Sequence, residues 1–104
     1  MKIVRVQYTT TESYAAINKK NIAGVVDELK KINHPGIKYS AYVMEDGKTF
    51  MHFDHFANEA AHEFLQGLQS FKKFAGELWN SGLEVKPTLD LLSVAASTEE
   101  FFVK

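Results

Sequence analysis

His52 and Asp54 are the residues whose types and spacing most directly suggest chemistry. They lie two positions apart in the segment Phe50–Phe56. Alternate residues of a β-strand point to the same face, so the imidazole of His52 and the carboxyl of Asp54 are predicted to lie on the same face of the sheet. A histidine oriented by a carboxylate can act as a general base. The alternative is that these polar groups only satisfy one another or meet water at the strand end, because a polar cluster alone does not establish catalysis.

A tight hairpin determines which residues stand beside this pair. Asp46-Gly47 separates two runs of β-branched and aromatic residues, which predict strands over 37–45 and 49–56. An Asp-Gly pair between such runs is a strong hairpin signal, because a two-residue turn needs positive φ at both central residues. The register of the two strands follows from that turn length.

Three further polar residues are predicted to join the pair. The two-residue turn places Tyr39 beside Asp54, where its hydroxyl can anchor a phenol or quinone oxygen. By the alternation of the first strand, Arg5 and Gln7 are expected on the same face, where an arginine can stabilise an enolate or peroxide anion. The predicted catalytic residues are His52, Asp54 and Arg5, and the predicted substrate-binding residues are Gln7, Tyr39, Phe50 and Phe56.

A metal site is disfavoured by the spacing of the histidines. His52 and His55 differ by an odd number of residues, so they are predicted to point to opposite sheet faces unless a bulge intervenes. His62 lies on a predicted helix that offers no convincing partner ligands. The chain has no cysteine, which excludes disulfides and thiolate metal sites. We therefore expect no metal and no cofactor.

Six elements are predicted from hydrophobic periodicity and turn residues. They are a strand over 2–10, a helix over 12–33, strands over 37–45 and 49–56, a helix over 58–80 and a strand over 83–95. Asn58 is the expected N-cap of the second helix, which Gly67 and Ser70 are expected to divide, with Ser70 capping the second piece. Trp79 falls in the apolar stripe and is expected to be buried. The order predicts an α+β, ferredoxin-like βαββαβ fold, with two helices on one face of a four-stranded antiparallel sheet.

The sheet face away from the helices is predicted to need a partner. An apolar patch is expected there, and such patches usually mark interfaces. Its expected members are Val4, Val6, Tyr8, Met51 and Phe53. Phe101 and Phe102 in the tail are expected to pack on the chain's own helices or on a dimer mate. These features predict a homodimer held by sheet-to-sheet contact.

The element order, the apolar second face and the segment Phe50–Phe56 running into a helix resemble the dimeric α+β barrel superfamily. Within it, the antibiotic-biosynthesis-monooxygenase-like domains are the most similar branch. The resemblance covers nearly the whole chain. It implies two sheets packed face to face across a two-fold axis, with a small-molecule pocket between the helices and the other sheet face of each subunit.

This resemblance also implies a class of activity. It suggests a cofactor-independent oxygenase, or an isomerase-like proton-transfer catalyst, acting on an aromatic or polyketide-like substrate. The alternative is a non-catalytic ligand-binding or structural dimer module. The chain departs from oxygenase members at Phe56, where they often carry Trp, and at Gln7 and His52, where they often carry Asn. Haem-degrading members need an axial histidine on the second helical region, where this chain offers only His62 near its start.

Length and charge exclude other classes. A chain of 104 residues is expected to form one domain over its whole length. The net charge of −1 argues against a nucleic-acid-binding protein, which would show a basic excess. An RNA-recognition motif has the same topology, but residues 47–53 match its aromatic strand poorly. No apolar run is long enough to span a membrane and no signal peptide is apparent, so we expect a cytoplasmic protein.

Overall fold

A computed structural model describes residues 1–102 and shows four strands and three helices within them. In chain order these are β1 (Lys2–Thr9), α1 (Ala15–Ile32), β2 (Ile37–Val43), β3 (Thr49–Phe56), α2 (Glu59–Gly67), α3 (Gln69–Trp79) and β4 (Val85–Leu92). The strands form one antiparallel sheet in the order β2-β3-β1-β4. The predicted α+β, ferredoxin-like fold is confirmed, with its second helix divided in two.

The hairpin between β2 and β3 has the predicted register, with Tyr39 paired to Asp54. Its turn differs from the prediction, because only Gly47 of the two central residues has a positive φ, at 74°. The side chain of Asp46 instead accepts a hydrogen bond of 3.0 Å from the backbone N–H of Lys48. This local bond shapes the bend, as short polar side chains often do in turns.

The long predicted helix over 58–80 is two helices that meet at Leu68. Asn58 is the N-cap of α2, as predicted, and its side chain accepts a hydrogen bond from the Ala61 N–H at 2.9 Å. Leu68 has an extended backbone, with ψ at 139°, which separates α2 from α3. The predicted cap at Ser70 is wrong, because its hydroxyl donates to the carboxylate of Glu28 on α1 instead.

The bounds of α1 and β4 and the burial of Trp79 also differ from the predictions. α1 begins at Ala15, after a turn over 11–14, rather than at residue 12. β4 is shorter than predicted, although Pro87 lies in an edge strand as expected. Trp79 is 62% exposed, contrary to the prediction, because its neighbour Leu78 takes the buried position. Consecutive helical residues point about 100° apart, so both do not fit on one narrow stripe.

The sheet has one face covered by helices and one open face. The covered face carries Phe50, His52, Asp54 and Phe56 of β3, each less than 9% exposed. The open face carries the alternate residues of the same strand, Met51, Phe53 and His55.

The side chains of β1 lie on the opposite faces from those predicted. Val6 pairs with His52 across the β1–β3 register, and directly paired residues point to the same face. Val4, Val6 and Tyr8 therefore lie on the covered face, and Val4 and Tyr8 are buried there. Their predicted place in an open-face interface is wrong. A shift of one residue moves every side chain of a strand to the other face, and the alternation alone does not fix that choice.

Phe101 in the tail lies on the open face of the chain's own sheet. Its ring stacks on His55, with centroids 4.3 Å apart and planes 16° from parallel. For Phe101, the expectation of packing on the chain's own helices is therefore wrong. Packing of the tail on a dimer mate stays a prediction.

Candidate functional site

His52 lies between two tyrosine hydroxyls on the covered face. The Tyr8 oxygen is 2.8 Å from Nε2, and the Tyr39 oxygen is 3.0 Å from Nδ1. Asn18 of α1 extends the series, because its Nδ2 donates to the Tyr8 oxygen at 2.8 Å. Side chains from α1, β1, β3 and β2 thus form one connected series, called here the hydrogen-bond chain: Asn18, Tyr8, His52 and Tyr39.

Burial determines the ionisation of His52 and its partners. His52 is 3% exposed, and burial lowers its pKa to about 4. The ring is therefore neutral at pH 7, with one N–H donor and one acceptor nitrogen. Burial also raises the pKa of Tyr8 and of Tyr39 well above the usual value, so both phenols keep their protons.

Asp54 is the one acid on this face of the sheet's central strands, and it is not satisfied by its neighbours. It is 7% exposed, and burial raises its pKa to about 7. Its Oδ1 is buried without a hydrogen-bond partner among the described residues. Both ring nitrogens of His52 are taken by tyrosines, so the expected arrangement of a histidine oriented by a carboxylate is wrong.

The carboxyl of Asp54 lines a cavity beneath α3. This cavity has a volume of about 100 Å³, and its polar walls are Tyr8, His52 and Asp54. Its apolar walls include Val6 of β1 and Phe71 and Phe74 of α3. The ring of Phe74 lies 5.3 Å from that of His52, centroid to centroid.

A second cavity lies on the other side of His52, between the end of α1 and β2. Its volume is about 220 Å³, and Tyr39, His34 and the apolar Leu29 are among the residues that line it. Tyr39 hydrogen-bonds to His52, which lines the first cavity. The hydrogen-bond chain therefore runs from one cavity wall to the other.

Arg5 and Gln7 do not join this site. They pair across the register with Phe53 and Met51, which places them on the open face. There the guanidinium of Arg5 contacts the Asp90 carboxylate at 3.0 Å and also donates to the Gln7 side chain. The expectation that they share a face with His52 is wrong. The side chains of β1 as a whole lie on the opposite faces from those predicted, and Arg5 and Gln7 are part of that strand.

Phe50 and Phe56 are buried on the covered face but lie away from the carboxyl-lined cavity. Phe50 stacks on Tyr8, with centroids 5.6 Å apart. It also lines a separate cavity of about 140 Å³ beside Ile22 of α1. Phe56 stacks on His62, at 4.5 Å between centroids. Neither ring lines the cavity beside Asp54.

Two residues of the site were missed by sequence reasoning. Tyr8 follows Val4 and Val6 at alternate positions, a pattern that fits either sheet face. Asn18 precedes Ile22 by four residues and therefore lies on the apolar stripe of α1, where it is fully buried. A polar residue within an apolar helical stripe is a signal that could have identified it, since buried amides require partners.

Within residues 1–102, no group of three or more His, Asp or Glu side chains is arranged to hold a metal ion. None of the described helices is both long and apolar enough to cross a membrane.

Comparison with solved structures shows the fold. An antibiotic biosynthesis monooxygenase has a TM-score of 0.77 at 15% identity, over 92% of this chain and 100% of that chain. A protein from Caulobacter crescentus, provisionally named as such a monooxygenase, has a TM-score of 0.76 at 16% identity, over 91% of this chain and 90% of its own. A similarly named protein from Deinococcus radiodurans has a TM-score of 0.74 at 12% identity, over 96% of this chain and 98% of its own.

No protein-family model matches the chain, and no curated protein matches it either. The fold is that of the antibiotic-biosynthesis-monooxygenase-like proteins, as the resemblance in the sequence implied. Because one fold hosts many activities, function must be argued from the site.

Proposed function

We propose that this protein binds a small aromatic molecule beside α3 and removes a proton from it with the Asp54 carboxylate. The observation that carries the proposal is Asp54, which lines a cavity and whose buried Oδ1 has no partner among the described residues. A carboxyl with a pKa of about 7 is divided between its acid and base forms at neutral pH. That is the range in which a general base is most effective.

Removal of a proton can begin an oxygenation that needs no cofactor. A CH₂ group activated by an adjacent ring or carbonyl loses a proton to Asp54 and becomes a carbanion or enolate. Addition of dissolved O₂ and loss of one water convert the CH₂ to a carbonyl. One O₂ is consumed, one oxygen atom enters the product, and no external reductant is required. The solved structures with this fold that are named monooxygenases support this reaction class.

The size of the cavities favours a compact substrate. An apolar cavity of roughly 150 Å³ is known to hold one benzene ring. The cavity beside Asp54 is about 100 Å³, smaller than that, and the cavity beside Tyr39 is about 220 Å³. Even a single-ring substrate would therefore have to displace Phe71 or Phe74 from the walls of the first cavity, and a fused-ring substrate would have to displace them further. We expect single-ring compounds to bind more readily than polyketide-sized ones.

Ligand binding without turnover is the second candidate function. The position of Arg5 favours it, because the side chain expected to stabilise an anion lies on the open face and contacts Asp90. The neutral hydrogen-bond chain then serves to bind a phenol or quinone oxygen, and Asp54 accepts a hydrogen bond from the ligand.

The proposal includes a homodimer formed through the open face. Met51 and Phe53 lie there as predicted, beside Tyr42, whose side chain is 58% exposed and packs edge-on against Phe53. Burying a Phe side chain contributes about 2 kcal/mol, so a few from each subunit can stabilise a dimer. Light scattering at micromolar concentration should give twice the chain mass of 11.8 kDa. A mass equal to one chain would contradict this part of the proposal.

The catalytic part is tested with Asp54→Asn, using Asp90→Asn as the matched control on the open face. The probes are phenol, which has no activated CH₂ and tests binding alone, and phenylacetone and anthrone, which carry a CH₂ beside a ring and a carbonyl; each is assayed by thermal shift and by O₂ uptake. The wild type should bind at least one probe and consume O₂, and Asp54→Asn should retain binding and lose the uptake. Binding without uptake in the wild type would favour the second candidate. Equal uptake by Asp54→Asn and Asp90→Asn would contradict the role of Asp54.

A further inference from the structure

The buried amide of Asn18 stands at the start of the hydrogen-bond chain. Asn18 is fully buried on α1 and donates from Nδ2 to the Tyr8 oxygen at 2.8 Å. Its Oδ1 has no partner among the described residues. The only described polar group that this amide engages with its side chain is therefore the hydroxyl of Tyr8.

The donor at Asn18 sets the direction of every following bond. Because the Tyr8 oxygen accepts from Asn18, its own hydrogen is available to donate to Nε2 of His52. A neutral imidazole that accepts at one nitrogen carries its hydrogen on the other. The Nδ1–H of His52 then donates to the Tyr39 oxygen, 3.0 Å away, and the hydroxyl hydrogen of Tyr39 remains free.

The opposite direction follows if the amide is rotated by 180°. Oδ1 would then accept from Tyr8, Nε2–H of His52 would donate to Tyr8, and Tyr39 would donate its hydrogen to Nδ1. This arrangement has the same number of bonds, but it leaves an NH₂ group buried without a partner in place of a carbonyl oxygen. Orphaned buried N–H groups are rarer in proteins than under-satisfied carbonyl groups, so the first direction is favoured.

We infer that Asn18 is a positioning residue, which holds His52 with its hydrogen on Nδ1 and so leaves the Tyr39 hydroxyl free to donate to a substrate oxygen. The role of that donor rests on the proposed function. Tyr39 pairs directly with Asp54 across the β2–β3 register. Tyr39 lines the second cavity and Asp54 the first, so the freed hydroxyl is a donor for an oxygen of a molecule held in the second cavity.

The test is the position of the hydrogen on His52, measured by long-range ¹H–¹⁵N NMR on ligand-free protein at pH 7. The wild type should show the Nδ1–H form. In Asn18→Leu the donor is lost, and a mixture of the Nδ1–H and Nε2–H forms should appear. The control is Asn21→Leu, because Asn21 also lies buried on α1 but donates to Glu77 rather than to the hydrogen-bond chain. It should leave the wild-type form unchanged.

Two results would overturn the inference. One is a wild-type ring with its hydrogen on Nε2, a measurement that needs no variant to fold. The other is an unchanged Nδ1–H population in folded Asn18→Leu. Should Asn18→Leu fail to fold, Tyr8→Phe interrupts the same connection and should likewise remove the preference for Nδ1–H. Since no ligand is present, these outcomes are separate from the O₂-uptake assay, which tests the proposed function itself.

Discussion

The two faces of the sheet show how strongly burial changes the chemistry of the residues on each face. On the covered face, burial lowers the pKa of His52 to about 4 and raises that of Asp54 to about 7. On the open face, the ion pair between Arg5 and Asp90 is partly solvated, with side chains 25% and 54% exposed. Exposed ion pairs contribute about 0–1 kcal/mol. Charged and polar groups on opposite faces of one sheet thus differ between a perturbed site and an ordinary surface.

The largest expected difference between the faces is in stability. Phe50 is 1% exposed, so Phe50→Ala should lower the free energy of unfolding by about 3–5 kcal/mol through lost burial and a new cavity. Phe53→Ala, on the open face of the same strand, should lower the free energy of unfolding by less than half of that amount. The measurement is urea denaturation at a protein concentration low enough to dissociate any dimer. Equal losses would contradict the division into covered and open faces.

The pH dependence of stability should reveal the two buried groups separately. Asp54 has a folded-state pKa above its unfolded value, so the folded protein binds the extra proton between pH 4 and 7. Its contribution to stability is present at low pH and is lost as the pH rises to about 7. His52 has a lowered pKa, so its contribution acts oppositely and grows from pH 4 to about 6.5.

These opposing slopes largely cancel in the wild type between pH 4 and 6.5. We therefore expect the difference in stability, wild type minus Asp54→Asn, to fall by about 1.4 kcal/mol per pH unit across this window. Urea denaturation at pH 4.5, 5.5 and 6.5 measures it. Asp90→Asn on the open face is the matched control for removal of a carboxyl from the same sheet. A flat difference for Asp54→Asn would show that its carboxyl is not perturbed.

Breaking the hydrogen-bond chain should have a smaller effect. Tyr8→Phe removes the hydroxyl between Asn18 and His52 and leaves both buried groups without that partner. The expected loss is about 1–3 kcal/mol, the cost of unsatisfied buried polar groups. Tyr42→Phe, at a 58% exposed position, should change stability by less than about 0.5 kcal/mol. Thermal denaturation of the two variants compares them, and equal shifts would mean that Tyr8 contributes through packing alone.

The smallest expected effect concerns the tail on the open face. Phe101→Ala removes the ring that stacks on His55 and should lower stability by about 0.5–1.5 kcal/mol, the usual contribution of an aromatic pair. Thermal denaturation is again the measurement. If the tail instead packs on a dimer mate, the loss should shrink as the protein is diluted, because the contact stabilises only the dimer. An unchanged melting temperature would mean that the stacking contributes nothing.

The fold was more predictable than the site, for a reason that β1 and the hairpin illustrate. The Asp46-Gly47 turn fixed the β2–β3 register locally, so Tyr39 was correctly placed beside Asp54. β1 meets β3 only through a long-range pairing, and its alternation of Val4, Val6 and Tyr8 fits either face. Sequence reasoning chose the wrong face and therefore assigned Arg5 instead of Tyr8 to the site.

Helix orientation was the second quantity that periodicity left open. The apolar stripe of α1 was recognised, but which of its polar residues pointed inward was not, and so Asn18 was missed. Trp79 was taken as buried because it is large and apolar, whereas the rotation of α3 buries Leu78 instead. Both errors concern the angle of a helix about its own axis, which depends on tertiary packing.

The most direct test of the account is the titration of the Asp54 carboxyl by ¹³C NMR from pH 3 to 9. In the proposed function this group is buried and unpaired, and it lines the cavity in which a proton is taken from the substrate. We expect a pKa of about 7 for Asp54, with Asp90 on the open face as an internal comparison in the same spectra. An Asp54 pKa near the ordinary value of about 3.9 would show a solvated or hydrogen-bonded carboxylate and would contradict the account.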